Sequence, residues 1–335
     1  ELCGAEVEIN PRKKTLRIHM TKYVMKLLER FDMKKAKPRS SPSFPEENLY
    51  IKDTKESNFP YKACVGALQW LATTARPDVA HSTNMLARAG SNTCTNSMAK
   101  CARLVMRYLV TNPGLGIEYS PEQEKEFHDK FRKLSEHDDN RNANPKQIDM
   151  PVHTFTDASF GVTYKEMRSI TGVVIYLHGA PVAWRSKVQT VFASSTTASE
   201  WVALADGVSL GEDVQFLFEF LVGSEQEFDR GPLWCDNRGV VICARKGVNN
   251  TDEIPKKTRH VALRYAKVLP ESDRIWFCPT NDQRADGLTK SCNPTALRHI
   301  FINDPKPVVI NEDEDEEEGV CDFAEFYFAR FNSGF

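Results

Sequence analysis

The chain has 335 residues, of which 41 % are hydrophobic and 27 % charged, and its formal net charge is −2. At about 150 residues per domain, this length predicts two domains, each large enough to bury a core. No run approaches the roughly 20 apolar residues that a membrane helix needs, and no N-terminal segment is typical of a secretory signal. These properties argue against a membrane-embedded or secreted protein. Because the first residue is Glu rather than Met, we interpret the chain as a piece of a longer protein.

Charge is distributed unevenly, with a basic stretch over residues 11–39 and the acidic run EDEDEEE over residues 312–318. The basic stretch is compatible with nucleic-acid contact and equally with a solvated helix face. The acidic run predicts a disordered tail, which we assign to residues 293–335. The aromatic end of that tail, FAEFYFARFNSGF, is either a docking peptide or an unselected end.

The nine cysteines are odd in number and include no C-x-x-C pair. Both facts argue against a disulfide framework and against a structural zinc module. Several cysteines lie inside apolar runs such as LWCD and VVICAR, where a reduced cysteine behaves as a small hydrophobic residue. A reducing compartment, cytosol or nucleus, is therefore expected.

The first region, residues 1–118, is predicted to be mainly helical. Residues 4–9 and 15–18 are expected to form a strand pair, and apolar residues on one helical face predict a helix over residues 21–31. Residues 38–60 contain four prolines and predict an extended connector. Residues 61–110 are predicted to be helical again, with Pro77 separating the first two helices of that stretch.

Residues 119–150 are highly charged and almost free of aliphatic side chains. We interpret them as an inter-domain linker or a surface insertion between the first region and a second domain, residues 151–292. The alternative is a solvated helix within one domain.

The second domain alternates strand and helix patterns. Three strands are predicted at residues 152–156, 169–177 and 182–188, and a helix of about 25 residues with one apolar stripe follows them. The remaining predicted elements are the strand LWC, a helix over 239–246, a helix over 257–269, the strand IWFCP and a short final helix from about residue 281. This order predicts an α/β fold with a mixed five-stranded sheet and helices on both faces.

Four acidic residues occupy positions where these elements meet. Asp157 ends the first strand, Glu200 lies in the first turn of the long helix, Asp236 ends the fourth strand and Asp286 lies in the final helix. Because the ends of neighbouring strands lie close together, the carboxylates are expected to converge and to repel one another unless cations lie between them. Oxygen ligands of this kind suit Mg²⁺, and two such ions about 3.5–4 Å apart support phosphodiester hydrolysis.

Each acid also has a purely structural explanation. Asp157 is acceptable as a turn residue, and Asp236 is suited to cap the helix that follows it. Glu200 and the segment before Asp286 each match a capping box, and a helix dipole favours any acid in a first turn. The joint placement of the four acids favours a metal site over four separate explanations.

Six segments around these acids carry a family resemblance: FTDASFG, RSITGVVIYLHGAPVAWRSKVQ, SSTTASEWVAL, LWCDNRG, KKTRHVALRY and ADGLTK. In this order they resemble the ribonuclease H domain of copia-type (Pseudoviridae) LTR-retrotransposon Pol polyproteins. Three upstream segments resemble the thumb and connection region of the same family's reverse transcriptase: TKYVMKLLERFDMKKAKPRSSP, YKACVGALQWLATTARPDVAHSTNMLAR and MRYLVTNPGLGIEYS. The resemblance covers residues 3–292.

The resemblance implies a ribonuclease H-like fold whose active site is Asp157, Glu200, Asp236 and Asp286. It implies that Asp157 bridges two Mg²⁺ ions, with Mn²⁺ as a substitute. Glu200 and Asp236 would hold the ion near the leaving 3′ oxygen, and Asp286 would help to hold the ion that carries the nucleophilic water. The implied reaction is endonucleolytic hydrolysis of the RNA strand of an RNA–DNA hybrid during reverse transcription, without a small-molecule cofactor. Such domains recognise the hybrid through the 2′-hydroxyl and the minor-groove shape.

Further residues are candidates for supporting roles. His260 matches a histidine of the family motif that would shuttle protons or assist product release, and its alternative is to cap or pack a helix start. Trp184 is expected to pack in the core. The candidates for nucleic-acid contact are Arg185, Lys187, Asn237, Lys256, Lys257 and Arg259. For Lys256, Lys257 and Arg259 the alternative is a solvated turn.

The polymerase palm with its paired aspartates is absent from this sequence. The expected partners are therefore an RNA–DNA hybrid and the remainder of the Pol polyprotein, without a membrane. The expected location is the cytoplasm, within a virus-like particle, or the nucleus. One alternative is a non-catalytic module that keeps the fold and binds nucleic acid or protein, although all four acids are intact. Another is a different nuclease of this fold, such as an integrase or transposase, against which Asp286 and the upstream region argue.

Overall fold

The computed structural model describes residues 4–51, 56–90, 94–141, 143–164, 166–223, 229–247, 262–292 and 294–301. Within these ranges the chain forms one sheet of three antiparallel strands and one sheet of five mixed strands. None of the described helices is long and apolar enough to cross a membrane.

The N-terminal region combines the small sheet with four helices. Its elements are β1 (Glu6–Asn10), β2 (Thr15–His19), α1 (Thr21–Arg30), α2 (Tyr61–Thr74), α3 (Ala80–Arg88), α4 (Asn96–Thr111) and β3 (Gly116–Tyr119). The predicted strand pair is confirmed, and so is the first helix, which buries Val24, Leu27 and Leu28 on one face. The strand β3 is not anticipated by the sequence pattern; it pairs antiparallel with β2 after α4.

A buried ion pair fixes the turn between α2 and α3. Pro77 opens a short 3₁₀ turn there, as the sequence predicts for a break between two helices. The Arg76 Nη2 atom lies 2.7 Å from Asp78 Oδ2, and both side chains are fully buried. The Tyr108 hydroxyl of α4 donates to the same Asp78 oxygen at 2.7 Å, and Arg76 Nη1 donates to the Asn112 carbonyl at 2.9 Å. Because each charge has several partners, this pair is satisfied within the core and ties α4 to the turn.

The second domain contains the mixed sheet that the sequence predicts. Its strands are β4 (Val152–Ser159), β5 (Ile170–Leu177), β6 (Ala180–Val188), β7 (Leu233–Cys235) and β8 (Ile275–Phe277), in the order β6-β5-β4-β7-β8. The first three strands form an antiparallel meander, whereas β7 and β8 run parallel to β4. The helices after the meander are α6 (Thr196–Val222), α7 (Arg238–Gly247), α8 (Ala262–Val268) and α9 (Pro294–Arg298).

Helices cover both faces of this sheet, as predicted. On one face, α6, α7 and α8 pack over β7 and β8 through side chains such as Trp201, Val241 and Tyr265. The opposite face is covered by a helix that the sequence analysis places in a linker, α5 (Pro121–Ser135). Phe127 stacks on Tyr176 with ring centroids 5.1 Å apart, and Phe131 contacts Trp234 at 5.0 Å.

The interpretation of residues 119–150 as a linker or surface insertion is therefore corrected. Phe127 and Phe131 are four residues apart, so they share one face of α5, and both are buried in the core of the second domain. Two aromatic side chains anchor an otherwise charged helix, which is why composition alone suggested a solvated segment.

Two further predictions need correction. The predicted final helix is replaced by two 3₁₀ turns, Thr280–Asp282 and Asp286–Leu288. The chain is extended at Gln283, whose side-chain amide donates to the Thr156 carbonyl of β4 and whose oxygen accepts from the Ala285 N–H. The predicted tail also begins too early, because Leu297, Ile300 and Phe301 are buried. Residues 302–335 and the first part of the helix predicted over 257–269 lie outside the described residues.

Candidate active site

Asp157 lies at the C-terminal part of β4, the central strand of the five, and its side chain is 4 % exposed. The Thr289 hydroxyl donates a hydrogen bond to Asp157 Oδ2. Thr289 itself is fully buried, and its carbonyl accepts from the Ser159 hydroxyl at 2.9 Å. Asp157 is therefore a buried carboxylate held by a side chain from a distant turn.

Asp236 follows β7, which runs parallel to β4 with Cys235 opposite Thr156. Parallel strands end at the same edge of a sheet, so Asp236 lies beside Asp157. The Thr280 hydroxyl donates to Asp236 Oδ2 at 3.2 Å. Asp236 does not cap α7, because Asn237 Oδ1 accepts the Val240 N–H at 3.1 Å instead.

Asp286 opens the second 3₁₀ turn and joins the other two aspartates. Ligand atoms of Asp157, Asp236 and Asp286 all lie within 4.8 Å of one another. Lys290 Nζ lies 2.9 Å from Asp286 Oδ1 and places one positive charge at this cluster. Thr280 and Gln283 do not form the capping box considered from the sequence, since their side chains bind Asp236 and the β4 backbone.

Glu200 enters the site from α6 and is 5 % exposed. The helix is capped by Ser195, whose hydroxyl accepts the Ala198 N–H at 3.1 Å, so a capping-box role for Glu200 is wrong. Ligand atoms of Glu200, Cys235 and Asp236 lie within 4.8 Å of one another. Among the described residues, no hydrogen-bond partner faces the buried Oε2 atom of Glu200.

Two glycines allow α6 to approach β4 closely enough to deliver Glu200. A Cβ atom on Gly207 would lie 2.4 Å from Thr156 Cγ2, and one on Gly211 would lie 2.9 Å from Thr154 Oγ1. The two glycines are four residues apart and therefore face the strand together. Helix and strand are in contact where any larger residue would separate them.

The crowding of the carboxylates shifts their protonation. Burial raises the pKa of Glu200 well above its usual range, and the neighbouring Asp157 and Asp236 raise it further. Burial, followed by the charge of Asp157, raises the pKa of Asp236 to about 6 and that of Asp286 to about 7. Burial lowers the pKa of Lys290, but Asp157 and Asp286 outweigh it, so the net shift is upward. The site therefore favours positive charge.

The donor set fits a hard divalent cation. Carboxylate oxygens are the ligands that Mg²⁺ and Mn²⁺ prefer, and the unpartnered Glu200 oxygen is available for such a ligand role. Burial holds the pKa of the Cys235 thiol well above its usual range, and a hard cation prefers the carboxylate oxygens to this sulfur. The arrangement can bind cations and position a water beside a phosphodiester.

Of the other predicted residues that the structure describes, Asn237 caps α7, and Arg185 and Lys187 do not join this cluster. Arg185 and Lys187 lie on β6, the edge strand two positions from β4; Lys187 is exposed, and Arg185 lines a groove of about 300 Å³ between α2, α3 and β6. Trp184 is half-buried and donates to the Ala72 carbonyl at 2.7 Å. The other candidates lie outside the described residues: His260, Lys256, Lys257 and Arg259.

Three residues that contact the acids were not predicted from the sequence as part of this site, namely Thr280, Thr289 and Lys290. Two of them belong to the segment ADGLTK, which was noted for its resemblance. Their spacing from Asp286 was a usable signal, because residues three and four positions along a turn return to its side.

Comparisons with known proteins place this site in a family context. The chain is 27 % identical over 293 residues to the retrovirus-related Pol polyprotein from transposon RE1 of Arabidopsis thaliana, covering 85 % of this chain and 18 % of that protein. It is 24 % identical over 302 residues to the corresponding polyprotein from transposon TNT 1-94 of Nicotiana tabacum, covering 87 % and 20 %. The chain thus spans about a fifth of the length of these curated relatives. No family model matches it.

Among solved structures, RNase H1 from the halophilic archaeon Halobacterium salinarum NRC-1 aligns with 41 % of this chain and 93 % of its own, at 20 % identity and a TM-score of 0.29. The fold class follows instead from the strand order β6-β5-β4-β7-β8 and from the helices on both faces of the sheet. The sequence matches extend through both the N-terminal helical region and the five-stranded domain. The predicted relationship is confirmed: the chain is a homologue of the retrovirus-related, copia-type Pol polyproteins of plant transposons.

Proposed function

We propose that this chain is the ribonuclease H part of a transposon Pol polyprotein and hydrolyses the RNA strand of an RNA–DNA hybrid with two Mg²⁺ ions. The observation that carries this proposal is the convergence of Asp157, Asp236 and Asp286 within 4.8 Å, with Glu200 beside Asp236. The homologous Pol polyproteins support reverse transcription as the setting.

Asp157, Glu200, Asp236 and Asp286 would hold the ions. Bound divalent cations supply an activated water and stabilise the negative charge on the leaving oxygen of a phosphodiester. Asp236 belongs to both groups of converging ligand atoms and is oriented by Thr280, whereas Thr289 orients Asp157. Held carboxylates need little rearrangement when substrate arrives, which favours the reaction.

The chain's own cations support a polyanionic substrate. Lys290 is 43 % exposed while contacting Asp286, so its ammonium group is accessible to a phosphate at the edge of the cluster. Lys187 offers a second exposed charge on the edge strand β6. We infer that these residues position the backbone, because phosphate contacts set register without reading sequence. The rest of the Pol polyprotein would supply the polymerase that makes the hybrid.

The test is cleavage of an end-labelled RNA–DNA hybrid by the 335-residue chain, with Mg²⁺ or with EDTA. We expect cleavage of the RNA strand only with the metal, and no cleavage of duplex DNA. Asp157→Asn and Asp236→Asn are each expected to lower the rate more than about 100-fold, because each removes a negative ligand. The matched control is Asp129→Asn, which changes an exposed aspartate of α5.

Cleavage that survives both active-site substitutions contradicts the proposal. Hybrid binding without cleavage, at any divalent ion concentration, instead supports a non-catalytic module with the same fold. Equal cleavage of DNA duplexes would indicate a nuclease of another specificity.

A further inference from the structure

One side chain at the site contacts an acid through a hydroxyl group rather than through a carboxylate. The Thr289 hydroxyl, from the turn after Asp286, reaches Asp157 Oδ2 across 132 residues of sequence. Thr289 is fully buried, and Asp157 is 4 % exposed. The hydrogen bond between Thr289 and Asp157 is thus shielded from water. A hydrogen bond to a charged group is stronger in the protein interior than in water.

The hydroxyl has a second acceptor within reach, since the Asp286 carbonyl lies 3.1 Å from Thr289 Oγ1. That carbonyl already accepts the backbone N–H groups of Thr289 and Lys290, at 3.1 and 3.2 Å. A hydroxyl has one hydrogen to donate, and a carboxylate is a stronger acceptor than a carbonyl that is already occupied. The hydrogen therefore goes to Asp157.

The neighbouring strand makes room for this contact. Gly172 of β5 lies directly opposite Asp157 in the antiparallel register. A Cβ atom at residue 172 would lie 2.6 Å from Thr289 Cγ2 and 2.8 Å from the Ala285 carbonyl oxygen. The absence of a side chain at Gly172 lets the turn lie on the strand and brings Thr289 to the acid. The Ser159 hydroxyl, which donates to the Thr289 carbonyl at 2.9 Å, holds the turn from the other side.

We propose that Thr289 is a positioning residue that fixes the rotation of the Asp157 carboxylate for metal binding, within the space that Gly172 leaves. The terminal torsion of an aspartate side chain is broad, so a carboxylate without an outside partner samples many orientations. One hydrogen bond to Oδ2 restricts that torsion and presents the group to Asp236 and Asp286. The inference rests on the proposed metal site and adds to it a residue that acts through Asp157.

The test compares Thr289→Val, which keeps the shape and removes the hydroxyl, with Thr289→Ser, which keeps the hydroxyl. Mg²⁺ and Mn²⁺ are titrated by calorimetry into the full chain without substrate, and kcat and KM are then measured on the hybrid. In Thr289→Val the metal dissociation constant is expected to rise about 10- to 100-fold and kcat to fall, with little change in KM. Thr289→Ser is expected to stay within about threefold of the original chain.

The matched control is Thr83→Val, which removes a buried hydroxyl of α3 away from the acidic cluster and is expected to leave metal affinity unchanged. Metal affinity unchanged in Thr289→Val, or equally weakened in Thr289→Ser, overturns the inference. If Thr289→Val does not fold, Ser159→Ala gives the second measurement: metal binding should weaken several-fold, and no change counts against the inference. A parent chain that binds no divalent ion refutes the proposed function itself, which separates the two failures.

Discussion

Glu200 shows at the scale of one residue that the site is arranged for function rather than for stability. Burial and two neighbouring aspartates raise its pKa well above the usual range. As pH rises, the unfolded chain therefore loses this proton before the folded chain does. Without metal, the group makes folding less favourable above its unfolded pKa of about 4.5.

Glu200→Gln is accordingly expected to stabilise the metal-free protein. At about pH 8 the free energy of unfolding should rise by at least about 1 kcal/mol, and its decline between about pH 5 and pH 8 should become shallower. Thermal melts in EDTA across that range measure both effects. Asp213→Asn, an exposed change on the same helix, is the control. A variant no more stable than the parent would contradict the electrostatic account of the site.

His153 affects stability at the opposite end of the pH range from Glu200, because its neutral form is buried and hydrogen-bonded in the core. Its Nε2 atom lies 3.1 Å from the Ile148 carbonyl, and Trp234 Nε1 donates to its Nδ1 at 3.3 Å. These partners require a proton on Nε2 and none on Nδ1. Burial, with a smaller contribution from His128, lowers the pKa of His153 to about 3.

We therefore expect acid to destabilise the protein through His153. The contribution of His153 to the free energy of unfolding is fully present above the unfolded pKa of about 6.5. Between that pH and about pH 3 it falls by up to about 1.4 kcal/mol per pH unit, because only the unfolded chain takes up the proton. His153→Gln, which can donate and accept in the same places, should reduce that slope in urea unfolding at several pH values. Burial also lowers the pKa of His81 to about 4, so part of the pH dependence of the free energy of unfolding should remain in His153→Gln. An unchanged slope would refute the assignment.

At the scale of an element, α6 carries the placement of Glu200. Its first half is buried against the sheet, whereas its last turns expose Phe216, Phe220 and Leu221. Gly207 and Gly211 set its distance from β4. The two glycines thus set the distance between α6 and β4, and that distance determines how close Glu200 lies to the other acids.

Gly207→Ala is expected to push α6 away from β4. The added methyl group meets Thr156 Cγ2 at 2.4 Å, so the free energy of unfolding should fall by about 1–3 kcal/mol and metal affinity should weaken as Glu200 shifts. Urea unfolding and calorimetry measure the two effects. Gly66→Ala in α2 is the control; nothing lies within 4 Å of its added atom, so a gain of about 0.5–1 kcal/mol is expected. A gain of stability in both variants alike would mean that helix propensity, not contact with Thr156, governs the effect.

At the scale of the whole molecule, the N-terminal region and the five-stranded domain are joined by side-chain contacts. Trp184 of β6 donates to the Ala72 carbonyl of α2, and the Arg298 Nη2 atom of α9 donates to Asn112 Oδ1 at 3.0 Å. The helix α5, between the two regions in sequence, belongs to the core of the second. The core of the second domain therefore includes residues before 151.

A chain shortened to residues 151–301 should consequently be less stable than one of residues 115–301. Loss of α5 uncovers the sheet face beneath Phe127 and Phe131, and burial of such residues is worth about 3–5 kcal/mol each. Urea unfolding compares the two fragments, and Phe127→Ala against the exposed Glu126→Ala repeats the comparison in the full chain. Equal stability of the two fragments would restore the linker interpretation.

The sequence by itself determined the features that depend on local pattern. Runs of β-branched residues gave β5, the 3.6-residue period gave α6, and the acids at element ends with their surrounding motifs indicated one site. These signals are local, because side-chain direction follows the backbone period within a few residues. The mixed sheet and its helices on both faces followed from the order of the elements along the chain.

Only the tertiary structure decided where α5 packs, how the chain runs from Thr280 to Lys290, and which side chains hold the acids. Each depends on partners far away in sequence: Phe131 on Trp234, Gln283 on the β4 backbone, and Thr289 on Asp157. A buried tertiary contact can stabilise the structure by more than the local composition or helix propensity favours another one. Such contacts exist only once the sheet has formed, so the local sequence does not predict them.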